Sequence, residues 1–359
     1  MVGLLLQKMR IALIIHRPQA RGQELFASHL GNYLLGMGHQ VVLISLYRGD
    51  FKLPFTGVHE ELQADSLGVK SLRQLSQLLR GFNPDIVQAN GGDTLKFSVL
   101  ARLIFPFPGK LIFNNGGVVG YYFRSPLQRI FYRFLLAKVE GAISVSAFSA
   151  KDLGKWLPTK VPQGMIPIGI PRDQPIALSP SLAHAVFVHI GGFTPEKNHT
   201  FLLELFQSYL QLNPQAQLWL IGDGPTKTHL QNSCGKELSG AIRFFGSLDD
   251  PWSVVPANAI LLLPSKIEGM PAVIAEAFLA EIPVIASTVG GIPEMANAIP
   301  SCSLVALEDK DAWLKVMDFW ATLSAEEKSK LTTPSKAKAD LRFDLEKAGE
   351  AFLKFYLEL

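Results

Sequence analysis

The sequence predicts an α/β protein made of two doubly wound parallel-sheet domains. Three observations predict it. Apolar runs of strand length alternate with segments of helical spacing, the pattern of parallel strands covered on both faces. The alternation breaks over 169–183 (GIPRDQPIALSPSLA), where Pro171, Pro175 and Pro180 interrupt a stretch with few periodic positions, and then restarts. The 359 residues are long for one core and comfortable for two.

In the first half, 10–16 (RIALIIH) reads as a buried strand and 17–23 as a loop containing Gly22. Residues 24–36 show helical spacing through Leu25, Phe26, His29, Leu30, Tyr33 and Leu34, ended by Gly38. Strands follow at 41–46, 85–88, 110–113, 142–145 and 161–167, with helices at 69–79, 94–103, 126–136 and 147–156. In the second half, strands are predicted at 185–190, 217–221, 242–245, 259–263, 284–286 and 303–305. The helices between and after them fall at 199–210, 227–234, 271–279 and 309–323. Residues 328–340 are polar and Lys-rich and read as a loop. A last helix over 343–359 carries Leu345, Ala348, Ala351, Phe352, Phe355 and Tyr356 along one side. The predicted division is an N-terminal domain 1–168, a hinge 169–183, a C-terminal domain 184–340, and a helix 341–359 returning to the N-terminal domain. Two such domains joined by a hinge would face each other at the C-terminal ends of their strands and close on a ligand.

Hydrophobic residues make up 48% of the chain and charged residues 18%, which excludes a disordered protein. No apolar run approaches the roughly 20 residues of a membrane span. Residues 1–6 are apolar but are cut by Gln7, Lys8 and Arg10, too short for a signal peptide. Cys234 and Cys302 stand far apart without metal spacing and read as reduced thiols of a cytoplasmic protein. His184 and His189 lie on or beside one strand and read as structural. Charge is uneven. Residues 1–180 carry 20 Lys and Arg against 10 Asp and Glu, and the remainder 14 against 21. A basic half suggests an anionic partner: a membrane surface, an anionic acceptor or a nucleic acid.

The most informative stretch is 264–278 (PSKIEGMPAVIAEAF). A buried strand precedes it, and Pro271 suits the first turn of a helix. Strand, short loop and helix aim free N–H groups and a helix dipole at the strand ends, which favours a phosphate. Glu268 in the loop and Glu276 in the helix cannot bind phosphate but accept hydrogen bonds from paired sugar hydroxyls. The stretch therefore suggests a ligand with phosphates in the middle and a sugar at each end. Further Gly turns follow strands at Gly191-Gly192, Gly222-Asp223-Gly224 and Gly290-Gly291. Each is weak alone, but three in one half suggest a shared rim. Lys197, in the first of these loops, offers a cation to a phosphate. Asp309-Lys310-Asp311 sits at a helix start and reads as a cap, not a metal site.

The segments IGGFTPEKN (190–198), LIGDGP (220–225), FFGSLDD (244–250), LPSKIEGMPAVIAEAF (263–278) and PVIASTVGGIPE (283–294) resemble the donor domain of the family 4 retaining glycosyltransferases of GT-B architecture, with Glu268 and Glu276 as the E-x7-E pair. The first half matches more loosely through 11–30, 37–45, 83–90 and 144–153. The resemblance implies two Rossmann-like domains facing across a cleft, and transfer of a hexose from a UDP- or GDP-sugar with retention. The donor is a co-substrate; no cofactor and no metal is implied. Carried over, Glu276 would hold the ribose, Glu268 would contact the hexose, and Lys197 with the backbone of Gly269, Met270, Pro271, Ala272 and Val273 would hold the diphosphate. Gly22 would approach the diphosphate from the first domain. Gly192, Gly222 and Gly224 would line the donor, with Ser247 and Leu248 beside the base.

Three departures stand out. Gly192 replaces an Arg common in the family. Asn115 stands where many members have His; it can orient a hydroxyl but cannot act as a base, which fits a mechanism in which the leaving phosphate takes the acceptor's proton. The usual Gly-Gly of the first loop is Arg21-Gly22. Glu268, Asn115 and Lys197 are the candidate catalytic residues.

On the acceptor side, 121–134 (YYFRSPLQRIFYRF) is basic and aromatic, with Arg129 and Arg133 on one helix face and Arg124 just upstream. Such helices favour anionic membrane interfaces. The sequence thus predicts a cytoplasmic enzyme peripheral to the inner face of the plasma membrane, working on a glycan or lipid-linked acceptor. No nucleic-acid module is recognisable. The alternatives are a catalytically degenerate partner protein that binds nucleotide sugar, and a sugar-nucleotide epimerase of the same architecture.

Overall fold

The structure is a computed structural model and describes residues 8–172, 176–235, 238 and 240–359. The prediction for residues 1–6 lies outside the described residues. The chain divides into two compact units, one of residues 1–171 with 344–359 and one of 172–343.

In the first unit the elements follow in the order β1 (Arg10–Ile15), α1 (Gly22–Gly36), β2 (Gln40–Ser45), β3 (Val58–Glu61), α2 (Val69–Phe82), β4 (Ile86–Asn90), α3 (Gly92–Ile104), β5 (Lys110–Asn115), α4 (Pro126–Leu136), β6 (Gly141–Ser144), α5 (Ala147–Gly154) and β7 (Gln163–Met165). Its seven parallel strands are ordered β3-β2-β1-β4-β5-β6-β7. Strand order reverses between β1 and β4, where such sheets open a crevice. Both sheet faces are buried. Ala12, Ile14, Val87 and Phe113 face one cluster, and Leu13, Ile15, Ile86 and Ile112 face the other. β3 escapes the sequence reading because it is a four-residue edge strand with three polar residues.

The second unit runs β8 (Val186–Ile190), α6 (His199–Leu212), β9 (Gln217–Ile221), α7 (Lys227–Ser233), β10 (Ile242–Gly246), β11 (Ile260–Leu263), α8 (Ala272–Leu279), β12 (Val284–Ser287), α9 (Ile292–Ala296), β13 (Cys302–Val305), α10 (Lys310–Thr322) and α11 (Ala325–Arg342). The sheet order is β10-β9-β8-β11-β12-β13, all parallel, with the reversal between β8 and β11.

Two sequence expectations, the loop at 328–340 and the place of Pro271, are corrected. The predicted loop at 328–340 lies inside α11. Ser324 and Glu327 form a capping box at its start, and its buried residues are small (Thr332, Ser335 and Ala339), with Leu331 half-buried against the core. Lys330 and Lys338 are exposed, Lys328 is half-buried and Lys336 pairs with Glu281 at 3.3 Å, so no apolar stripe marked the helix. Parts of the predicted hinge 169–183 are tied down, and its residues 173–175 lie outside the described residues. Ile170 pairs with Asp344 in the first unit, while Ser179 bridges to Pro256 in the second, and Leu182 donates to Asn258. Pro271 is the N-cap of α8, not a residue of its first turn. Asp309 caps α10, accepting from the Ala312 N–H at 2.9 Å.

The last helix, α12 (Leu345–Glu358), packs in the first unit against α1. Phe352 meets Phe26 with ring centroids 5.6 Å apart. A Cβ on Gly349 would lie 2.2 Å from the Tyr33 ring, so glycine lets the helices approach.

Candidate active site

In the second unit, the loops leaving β8, β9, β10 and β11 are knitted together at the strand ends. Gly222 N–H donates to the Gly246 carbonyl at 2.7 Å, and Phe193 N–H to the Asp223 carbonyl at 2.9 Å. Gly222 has φ of +139°, and a Cβ there would lie 2.0 Å from the Gly191 carbonyl oxygen. Gly224 is similarly required by the backbone of Phe193. These glycines hold the rim by close backbone packing.

This rim brings Lys197 to Glu268. The Lys197 Nζ lies 2.7 Å from Glu268 Oε1, and both side chains are largely buried. Ser265 Oγ donates to the same oxygen at 2.7 Å. Glu268 is held from behind as well: Gly291 N–H donates to its carbonyl at 3.1 Å, and Gly290, with φ of +58°, has no room for a Cβ against it. The pair offers a cation for a phosphate and a second carboxylate oxygen for hydroxyls. Beyond Glu268, Gly269, Met270 and Pro271 are buried, and Ala272 and Val273 open α8, which has no side-chain cap. Its first N–H groups are thus available at the strand ends.

Glu276 keeps some accessible surface, but its carboxyl is enclosed, and desolvation raises its pKa. Trp252 Nε1 donates to its Oε2 at 2.9 Å and favours the ionised form. Trp252 was not singled out from sequence; its contact joins residues 24 apart, and nothing local signals it. Ser265 was likewise missed. Ser247 is exposed and Leu248 half-buried just after β10, and Gly192 lies half-buried in the β8 loop. Beneath that loop His189 gives its Nδ1 hydrogen to the Leu262 carbonyl at 2.8 Å, and burial pushes its pKa down to about 4. His199 falls to about 2 for the same reason. Both rings are neutral, so Lys197 is the loop's only cation.

Gly22 and Asn115 belong to the other unit. Gly22 is exposed as the first residue of α1, whose N-cap Arg21 makes no side-chain cap. Asn115 ends β5; its Oδ1 accepts from Gly117 N–H at 3.3 Å, and its buried Nδ2 has no partner. Gln23, unremarked in the sequence, bridges these regions by donating to the Asn114 carbonyl at 3.2 Å.

On α4 only Leu135 and Leu136 are buried. Leu127, Ile130, Phe131 and Phe134, spaced as one helical stripe, all face solvent, alongside exposed Arg124, Arg129 and Arg133. Among the described residues no helix is long and apolar enough to cross a membrane, and no group of three or more His, Cys, Asp or Glu is placed to hold a metal ion.

Two Rossmann-like domains, the second with a cation–carboxylate pair at its strand ends, define a protein of the GT-B class. The comparisons agree. The family model for Glycosyltransferase Family 4 matches residues 20–174, and that for Glycosyl transferases group 1 matches 184–319. The chain belongs to these glycosyltransferases. It is 30% identical over 103 residues to an uncharacterized glycosyltransferase, MJ1059, of Methanocaldococcus jannaschii, covering 28% of this chain and 25% of that protein. It is 26% identical over 302 residues to the sulfoquinovosyl transferase SQD2 of Arabidopsis thaliana, covering 73% of this chain and 56% of that one. The chain thus spans from a quarter to just over half of the length of these curated relatives. Among solved structures, Anabaena Alr3699/HepE in complex with UDP and glucose superposes with a TM-score of 0.82 at 18% identity, over 98% of this chain and all of that one.

Proposed function

We propose that the protein is a metal-independent, retaining hexosyltransferase that moves a hexose from a UDP- or GDP-sugar to a glycan or lipid-linked acceptor. The observation that carries this reading is the Lys197–Glu268 pair beside the start of α8. A departing nucleoside diphosphate gains negative charge, and Lys197 with the free N–H groups of Ala272 and Val273 stabilises it in place. Glu268 takes hexose hydroxyls through its free oxygen, and Glu276, oriented by Trp252, takes the ribose. The bond from the anomeric carbon to the phosphate oxygen breaks, and the bond to the acceptor oxygen forms on the same face. The acceptor's proton passes to the leaving phosphate, and Asn115 orients a hydroxyl without acting as base. The exposed apolar and basic face of α4 docks on an anionic bilayer, the inner face of the plasma membrane, and brings the acceptor within reach.

Calorimetry against UDP-, GDP- and ADP-sugars tests the donor. One donor should bind the wild type, and Glu276→Ala should lose it; a wild type that binds none ends the reading. A donor that binds but is neither hydrolysed nor transferred with any cell extract favours a degenerate binding partner. For the surface, the wild type should sediment with phosphatidylglycerol vesicles at low salt and the Arg124/Arg129/Arg133 triple Ala variant should not. Absence of wild-type sedimentation removes the membrane.

A further inference from the structure

The first unit holds a chain of buried side-chain amides within its core. Tyr356 Oη, on α12, donates to Gln88 Oε1 at 2.6 Å. Gln88 Nε2 donates to Asn90 Oδ1 at 2.9 Å, and Asn114 Nδ2 donates to the same oxygen at 2.9 Å. Asn90 Nδ2 gives its hydrogen to the Ile14 carbonyl at 3.1 Å. The four residues are all buried. The chain ends where the sheet order reverses, at the tips of β1, β4 and β5. Gly91 and Gly92 follow Asn90, and Asn115 follows Asn114.

We propose that Tyr356, through Gln88, Asn90 and Asn114, positions the ends of β4 and β5 for the transfer reaction, making α12 a positioning element of the first unit's reacting edge. This rests on the reading that the edge carrying Asn115 meets the reacting sugar. Only one orientation of the three amides keeps all four bonds, although Asn114 Oδ1 stays without a partner. A flipped Gln88 sets its oxygen against Asn90 Oδ1, and flipping Asn90 in response turns its oxygen on the Ile14 carbonyl. The Ile14 carbonyl thus sets the direction of every bond, and the tyrosine hydroxyl supplies the hydrogen that Gln88 Oε1, buried at the far end, would otherwise lack. Packing alone does not call for it. Phe would fill the same space beside Phe352, whose ring already meets Tyr356 edge-on at 6.0 Å, and buried amides are costly where apolar side chains would serve.

The test compares Tyr356→Phe with the double variant Tyr356→Phe/Gln88→Leu. Hydrogen exchange of the full chain should quicken at least fivefold in peptides over 86–92 and 110–117 of Tyr356→Phe, with other strands of the unit unchanged. UDP release from UDP-glucose should fall about tenfold in kcat with donor KM within twofold of wild type, an effect of the size of one lost hydrogen bond. The double variant, with both partners apolar, should regain the wild-type Tm but not the turnover. Recovery of stability and turnover together, or unchanged exchange at both strand ends, overturns the proposal. If the wild type releases no UDP, the donor reading fails separately, and the exchange measurement still decides the role of Tyr356.

Discussion

The strand-end edges of the two units are built on the same strand-order reversal but in opposite ways. The second unit's edge is made of fixed charges and forced backbone. Lys197 and Glu268 are paired at 2.7 Å, Glu276 is held by Trp252, and Gly222 and Gly290 sit at positive φ with no room for a Cβ. The first unit's edge combines buried amides and uncapped helix starts, with the Asn115 Nδ2 left without a partner, and for fixed charge it has an exposed Asp93–Lys96 pair at 3.2 Å. One edge has its charges paired and its backbone forced; the other keeps open hydrogen-bonding capacity. Preorganised charge suits a ligand of constant chemistry such as a nucleoside diphosphate, whereas open amides suit an acceptor that can vary between relatives of one fold.

The comparison breaks or holds at four places, taken from the largest effect down. Gly222→Ala should destabilise the second unit by about 3 kcal/mol or more in denaturant unfolding, because strain and a clash with the Gly191 carbonyl add. Its counterpart in the first unit, Gly116→Ala, meets only the Gln23 side chain at 3.4 Å and should stay within about 0.5 kcal/mol. Equal costs would mean the two edges are equally rigid. Lys197→Ala should lower donor turnover about 10²- to 10³-fold, the usual loss when a preorganised donor to a developing oxyanion is removed. Asn115→Ala should cost only about tenfold, as one neutral hydrogen bond would. A larger loss at Asn115 would reverse the assignment of roles.

Trp252→Phe should weaken donor binding about tenfold in calorimetry, because Glu276 loses its orienting N–H. An unchanged affinity would take Glu276 out of the site. The smallest effect concerns pH. Desolvation raises the Glu276 pKa above its unfolded value of 4.5, so the folded protein holds an extra proton between the two values. Stability from this group therefore falls as pH rises through that window. Glu276→Gln should match the wild-type Tm below about pH 4 and exceed it at neutral pH, while losing donor affinity. A Tm difference that stays constant with pH would mean the carboxyl is not enclosed.

The alternation of strands and helices was legible because strands buried on both faces must be continuously apolar, as in Ile11–Ile15 and Leu261–Leu263. Lys197, Glu268 and Glu276 were legible because each sits in a strand–loop–helix turn whose sequence is local. α11 was not legible, since its contact with the core uses Thr332, Ser335 and Ala339 with a single half-buried leucine, Leu331, and so carries no apolar period. On α4 the basic and aromatic residues were visible, but not that the stripe Leu127, Ile130, Phe131 and Phe134 would be left uncovered.

By itself the sequence determined two parallel sheets, the glycine turns after their strands and the acids and lysine in those turns, because each depends on residues close in the chain. Only the tertiary structure decided that Lys197 meets Glu268 across 71 positions, that Trp252 holds Glu276, and that Tyr356 reaches Gln88 across 268. Those contacts depend on how distant loops and a late helix close on the sheet ends, and no local spacing encodes a partner brought there by packing.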